Sequence, residues 1–216
     1  MLVFALLATV MLAGCVGTRQ GVSWPTIGIV ELNGEQNIVV SYTDQVAIVN
    51  PENGSAVPLI NPSTGEVRRD ENGDARPLVI NGHDSDNAQF YVNPIALNNE
   101  TLLVADYHSR LLEIDTATAS VNRVIPVEDH ILADILVEDG VMYIPFQSVG
   151  ISAMSMEDYE VLWTYTTDNN GVWAKPLIVD DLLIFTSLDH HMYAVKKATG
   201  EFVWRVDLEG GVTSTP

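Results

Sequence analysis

The sequence is poor in cysteine and in basic residues. It has one cysteine, Cys15, among 216 residues, which excludes an intramolecular disulfide and a metal site built from several thiolates. Ten Lys and Arg stand against 29 Asp and Glu, giving a formal charge of −19 at pH 7. Because so acidic a surface repels phosphate groups, we expect no nucleic-acid binding, and no flat docking of the folded body on an anionic bilayer.

Motifs that carry known chemistry are also missing. There is no nucleophile elbow, P-loop or dinucleotide-binding glycine motif. Asp70, Asn72 and Asp74 alternate like the start of a calcium loop, but the required glycine and glutamate do not follow in register, so we interpret them as an acidic turn. His190 and His191 are neighbours, and neighbouring side chains in a strand point to opposite faces. We therefore expect no catalytic residue, cofactor or metal.

The N-terminus has the pattern of a lipoprotein signal peptide. An apolar run over residues 2–13 is too short to span a bilayer but suits the hydrophobic region of a signal peptide. It ends in the letters LAGC at positions 12–15, which resemble the bacterial lipobox and imply a lipid on Cys15. The alternative is a buried cysteine in an ordinary helix. Because no Lys or Arg precedes the run, we expect that a few N-terminal residues are missing from this sequence.

A polar stretch follows the cysteine. Residues 16–23 are interpreted as a tether that joins residues 1–15 to the folded domain, residues 24–216. Val16 stands where enterobacterial lipoproteins retained at the inner membrane carry Asp, so the pattern resembles an outer-membrane address. The predicted location is the cell envelope, outside the cytoplasm, and the outer membrane where the organism has one.

The second half of the chain is repetitive, with a period of about 41 residues, a length typical of repeat architectures. Trp204 follows Trp163 at the same interval at which Ala194 follows Ala153. In the clearest copy, apolar runs at 177–179, 182–186, 191–195 and 201–206 are separated by turn residues. Four antiparallel strands in such a repeat predict a β-propeller blade. The predicted fold class is all-β, with about four blades and the first strand of another at 210–216, in a protein that continues to roughly seven or eight blades.

One repeat resembles a known motif. The stretch AVKKATGEFVW at 194–204 is similar to the tryptophan-docking motif of PQQ-like (quinoprotein-type) propellers, with Lys196 in place of its aspartate. The matching positions are Ala194, Thr199, Gly200 and Trp204, and in the preceding copy Ala153 and Trp163. A single blade cannot bury both of its faces, and an indole covers a large area of a neighbouring blade. We therefore assign these residues to docking between blades and not to ligand stacking.

The two earlier copies match less well. One has Arg123 where the motif has tryptophan, and the first has Pro58 there. Residues 58–89, between the first and second blades, are rich in Asn-Gly, Asn-Pro and Thr-Gly pairs, which predict an inserted hairpin or surface loop at a blade edge. Long loops on a rigid scaffold are common sites of binding residues.

A lipobox joined to such blades resembles the BamB family of outer-membrane assembly lipoproteins. The resemblance implies a membrane-anchored, non-catalytic scaffold whose partners are proteins, including envelope assembly components, bound by loops or by strands added to exposed edges. One alternative is a cell-surface propeller that binds a small molecule or a polysaccharide. Another is part of a PQQ-dependent dehydrogenase, whose resemblance would demand adjacent cysteines and calcium ligands that this sequence does not show.

Overall fold

The computed structural model describes residues 26–168 and 171–213, which form four antiparallel sheets of four strands each. Cys15, the predicted signal peptide and the tether lie outside the described residues. In every sheet the strands follow one another in chain order. The predicted all-β blade architecture is confirmed.

Strand bounds are as follows. The first sheet contains β1 (Thr26–Leu32), β2 (Glu35–Tyr42), β3 (Gln45–Val49) and β4 (Val79–Asn81). The second contains β5 (Ile95–Asn98), β6 (Thr101–Asp106), β7 (Arg110–Asp115) and β8 (Val121–Pro126). The third contains β9 (Leu136–Glu138), β10 (Val141–Pro145), β11 (Gly150–Ser155) and β12 (Val161–Thr166). The fourth contains β13 (Leu177–Val179), β14 (Leu182–Thr186), β15 (His191–Lys196) and β16 (Phe202–Asp207), and a short 3-10 helix spans His83–Ser85.

Tight turns join the first two strands of a sheet. Asn33 and Gly34 between β1 and β2 have φ of 56° and 75°, and Asp139 and Gly140 between β9 and β10 have φ of 50° and 76°. Two consecutive residues with positive φ match the right-handed twist of a hairpin, and Asn-Gly and Asp-Gly adopt this conformation at low cost. The sequence thus determines these turns locally.

The hydrophobic core is divided among the spaces between successive sheets. One buried cluster joins the first sheet to the second, one joins the second to the third, and one joins the third to the fourth. Phe185 and Tyr193 of the fourth sheet stack at 5.4 Å between ring centroids and pack towards Tyr165 of the third. Each sheet therefore buries its face against the next sheet, as in repeat architectures.

The predicted insertion lies inside the first sheet and ends earlier than expected. Residues 56 and 57 begin the fourth strand beside β3, the chain then leaves the sheet, and β4 completes the strand on its return. A bridge between Pro58 and Pro77 closes this excursion, so it covers residues 58–77 and not 58–89. The 41-residue repeat is difficult to recognise in the first sheet because the excursion divides the strand that would contain the motif.

Of the predicted first strand of a further blade, residues 210–216, the structure describes residues 210–213. Residues 211–213 form no strand, and residues 214–216 lie outside the described part of the chain. The equivalent residues one repeat earlier, 171–176, form the connection that precedes β13. The counterpart of the predicted strand in the preceding repeat is therefore a connection between sheets.

Candidate functional site

The outer strands of three sheets carry a bulge at the same place. The pairing register shifts by one residue between β7 and β8, between β11 and β12, and between β15 and β16. The residue directly after each bulge is Arg123, Trp163 or Trp204, the position of tryptophan in the predicted motif. A bulge redirects the strand and its side chains. For Arg123 and Trp163 it directs the side chain towards the next sheet.

Trp163 of β12 packs on the turn between β15 and β16. Its Nε1 donates a hydrogen bond to the carbonyl oxygen of Lys197 at 3.1 Å, and Lys197 in turn forms an ion pair with Glu138 of the third sheet. Gly200 has φ of 71°, and a Cβ built on it would lie 2.6 Å from the Trp163 ring. Glycine is needed at this position for both conformation and space. The turn and the indole therefore form one inter-blade contact.

The other predicted docking residues lie around this contact. Ala153 and Ala194 are fully buried and are the Cα partners of Trp163 and Trp204, respectively. Thr199 is exposed, and its hydroxyl accepts a hydrogen bond from Glu201 N at 3.3 Å. Trp204 is partly buried, and within residues 26–168 and 171–213 it joins no hydrophobic cluster. The structure thus brings together Trp163 and Gly200, while no described blade packs against Trp204.

An arginine and a tyrosine replace the tryptophan and glycine between the second and third sheets. The Arg123 guanidinium lies 5.0 Å from the centroid of the Tyr159 ring, and Tyr159 donates a hydrogen bond to Glu113 at 2.7 Å. Burial, and then the hydrogen bond to Glu113, raise the pKa of Tyr159 to about 12, so its phenol remains a donor at neutral pH. Tyr159 has φ of 64°, in the conformation that Gly200 adopts in the fourth sheet. The aromatic ring of this contact therefore lies in the turn, whereas between the third and fourth sheets it lies in the outer strand.

Exchanging this pair tests whether the two contacts are equivalent. We expect Arg123→Trp and Tyr159→Gly each to destabilise the chain alone but to compensate in the double variant, with a coupling free energy of about 1–2 kcal/mol. The reason is that the indole needs a residue without a side chain beneath it, whereas the arginine needs the aromatic ring. Urea unfolding of the four proteins measures the coupling. Additive effects would show that these positions do not act as a pair.

A buried carboxylate organises the turn between β6 and β7. The side chain of Asp106 is 0% exposed and accepts hydrogen bonds from Arg110 Nε at 2.6 Å and from the backbone N–H of Gln89 at 2.7 Å. His108 Nδ1 lies 3.1 Å from the same carboxylate, and Arg110 extends to the exposed Asp86 at 3.0 Å. The carboxylate holds the connection from the first sheet against the second. In the sequence, Asp106 and Arg110 form a charged pair at the two ends of one turn, but the repeat pattern does not include them.

Comparison with known proteins decides the overall architecture. No protein-family model matches the sequence, and neither does any curated protein. Solved structures do match: BamB from Moraxella catarrhalis (16% identity, 88% of this chain, 51% of that chain, TM-score 0.56) and Sqt1 from Saccharomyces cerevisiae (15%, 88%, 50%, 0.61). The computationally designed protein Ika8 also matches (10%, 87%, 50%, 0.58). The chain folds as a β-propeller. It spans about half the length of these three proteins.

The inner strands of the propeller blades line a groove of about 470 Å³, with polar residues at one end. Asn93, Asp134 and Lys175 precede the inner strands β5, β9 and β13 and are spaced one repeat apart. Asp134 accepts two hydrogen bonds from Asn93, from its backbone N–H and from its side-chain amide, both at 2.8 Å. Lys175 forms no ion pair with any residue that the structure describes. A polar side chain therefore recurs at the same repeat position in three successive blades, and the motifs of the sequence did not indicate it.

Turns at the same end of the blades carry all five histidines of the chain. They lie in or beside the turns between second and third strands or in the connections between blades: His83, His108, His130, His190 and His191. Tyr107 stacks on His130 at 4.4 Å, and Ser109 Oγ lies 3.2 Å from His130 Nδ1. Within the described ranges no group of three His, Cys, Asp or Glu is placed to hold a metal ion. The predicted acidic turn uses Asp70 itself, because its carboxylate accepts the N–H groups of Asn72 and Asp74, both at 2.9 Å.

Exposed apolar side chains are concentrated on the last two blades. Seven of the ten large exposed hydrophobic residues of the described chain lie on three strands, β12, β13 and β16: Val161, Leu162, Leu177, Val179, Phe202, Val203 and Val206. Val161 and Leu162 are adjacent on the outer strand β12, and adjacent exposed apolar side chains of this kind are common at interaction sites. No helix of the described residues is long and apolar enough to cross a membrane.

Proposed function

We propose that this chain is a non-catalytic β-propeller scaffold of the cell envelope that binds partner proteins. The observation that carries the proposal is the exposure of two adjacent apolar residues, Val161 and Leu162, on the outer strand β12, in a chain whose formal charge is −19. A surface needed only for solubility would not expose Val161 and Leu162 side by side on an outer strand. Burying such residues against a protein provides the favourable free energy of association.

Two sequence features support the finer parts of the proposal. The LAGC letters at 12–15 support a lipid anchor on Cys15, and therefore a place outside the cytoplasm and, where one exists, at the outer membrane. The motif at 194–204 and the packing of Trp163 on Gly200 support the PQQ-like type of blade. Together these features favour envelope assembly components as the partners, in the manner of the BamB family. The proposal assigns no reaction, cofactor or metal to the chain.

Capture of partners in the envelope tests the function. The full chain with a C-terminal affinity tag is expressed in a bacterial host, cross-linked and purified, and the bound proteins are identified by mass spectrometry. We expect envelope proteins of the barrel-assembly class to be recovered with the wild-type chain. The matched control is Cys15→Ser, which removes the thiol that would carry the lipid and leaves residues 26–213 unchanged.

The control separates anchoring from folding. We expect Cys15→Ser to move the protein from the membrane fraction to the soluble fraction and to reduce the recovered envelope proteins at least tenfold, because anchoring raises the local concentration. A bound quinone, or thermal stabilisation by a polysaccharide without protein partners, would contradict the scaffold and favour one of the two alternatives.

A further inference from the structure

The outer strand of every blade has one edge without a partner strand, and three of the four edges are protected. Unpaired strand edges pair readily with other chains, and natural proteins block them with short strands, charges or proline. β4 has only three residues, β8 contains Arg123 and Pro126, and β16 contains Arg205 and Asp207. β12 has six residues, with the sequence VLWTYT, and contains neither charge nor proline. It is the unprotected edge of the described propeller.

The exposed groups of β12 are suited to pairing. Val161 and Leu162 are 56% and 53% exposed. The backbone N–H of Thr167 donates inward to Val149 of the neighbouring segment at 3.2 Å. Because hydrogen-bonding direction alternates along a strand, the N–H and C=O groups of Thr164 and Thr166 point to the open edge. These groups present two regularly spaced donor and acceptor pairs to an incoming strand.

We propose that β12 binds an extended segment of the partner protein, which adds a fifth strand to the third blade. This inference rests on the proposed function and specifies where the partner binds and in what conformation. Backbone pairing gives such complexes their affinity, and alternate side chains give them specificity. Leu162 and Val161 are the apolar contacts available to the incoming segment at one end of the strand.

Charge beside β12 indicates the chemistry of the segment. Glu157, Asp158 and Glu160 precede the strand, and Asp168 follows it, 3.7 Å from Arg205. An apolar, β-branched segment flanked by Lys or Arg is therefore complementary to this edge. Antiparallel pairing of two copies of β12 would instead bring Glu160 of each copy near Asp168 of the other, between bodies that each carry −19. Like charges brought together in this way disfavour a second copy as the occupant.

The repeat itself provides the test variant. Pro126 of β8 and Thr166 of β12 occupy the same position, since they pair with Arg110 and Gly150, the first residues of β7 and β11. Thr166→Pro therefore introduces a residue that this blade type already accommodates, and it removes an outward N–H from the edge. Leu162→Asn likewise introduces the residue type found at the bulge of β8, which is Asn122. Each variant gives the outer strand of the third blade a residue that the outer strand of the second blade has at the same position.

The probe is a fluorescein-labelled synthetic peptide with three valines alternating with two threonines and two lysines at each end. We expect it to bind the full chain in a fluorescence anisotropy titration, and we expect Thr166→Pro and Leu162→Asn each to weaken binding at least tenfold without changing the thermal midpoint. A peptide N-methylated at alternate residues has the same charge but lacks the pairing N–H groups, and it should bind no better than the variants. If Thr166→Pro fails to fold, Leu162→Asn and the methylated peptide still carry the test.

Four results would overturn the assignment. Equal binding of the peptide to wild type and both variants, or of both peptides to wild type, would place binding elsewhere or attribute it to charge alone. No binding to wild type would show that the edge does not accept a strand, while cross-linked envelope partners would still support the proposed function. Self-association of wild type that Thr166→Pro abolishes, measured by analytical ultracentrifugation, would identify a second copy as the occupant.

Discussion

Replacing Trp163 by alanine is expected to lower the free energy of unfolding of this chain by about 3–4 kcal/mol. The indole packs on Gly200 and donates a hydrogen bond to Lys197 O at 3.1 Å, so the substitution removes packing and a partly buried hydrogen bond together. It also leaves a cavity between the third and fourth blades. Because each blade is stabilised mainly by its neighbours, loss at this interface weakens the cooperative unit and not one strand alone.

The same substitution one repeat later is the matched control. Trp204 has the same residue type and strand position, but among the described residues it joins no hydrophobic cluster. In this 216-residue chain, Trp204→Ala should cost only about 0.5–1 kcal/mol, because no described blade packs on the partly buried indole. Urea unfolding followed by circular dichroism compares the two variants. Equal losses would show that Trp163 gains nothing from the adjacent blade and would contradict its role in docking.

Asp106→Ala is expected to cost about 3–5 kcal/mol, because it leaves the Arg110 guanidinium without its buried partner. The backbone N–H of Gln89 loses its acceptor as well, and an unsatisfied buried donor adds to the cost. The connection from the first blade should then detach from the second. Hydrogen exchange should show faster exchange at Gln89 and at the residues that follow it.

Asp86→Asn is the control for the same arginine, because Asp86 has φ of 56° and asparagine tolerates this left-handed conformation while it removes the charge. Asp86 contacts Arg110 at 3.0 Å from the exposed side, and an exposed ion pair contributes at most about 0.5 kcal/mol. Thermal and urea unfolding of both variants measure the difference between the buried and exposed carboxylates. A loss of stability for Asp86→Asn as large as that for Asp106→Ala would mean that net charge, and not the buried hydrogen bonds, determines the effect.

The later blades could be predicted from the sequence because their signals are local. The runs at 177–179, 182–186, 191–195 and 201–206 agree with β13 to β16 to within one residue at each end. The turn glycines and the alternation of apolar residues act over a few positions, and the sequence repeat presents them again in the next blade. The fold class followed from this pattern alone, and the likeness to solved propellers confirms it.

Features that depend on partners distant in sequence were not predictable in this way. Nothing near Pro58 indicates that the strand resumes at Val79, because the closing bridge joins Pro58 to Pro77. Arg123 was interpreted as a weak match to the motif, since its partner Tyr159 lies in another repeat. The unprotected edge of β12 became evident only when its open side was known from the order of strands.

Site-specific photo-cross-linking tests the scaffold most directly. A photoreactive amino acid is placed at Leu162, on the unprotected edge, or at Val124, which is 50% exposed on the protected strand β8, in the full chain expressed in a bacterial envelope. We expect a covalent adduct with a protein at position 162 and little or none at position 124. No protein adduct at position 162, or equal adducts at both positions, would contradict a scaffold that binds its partner through this surface.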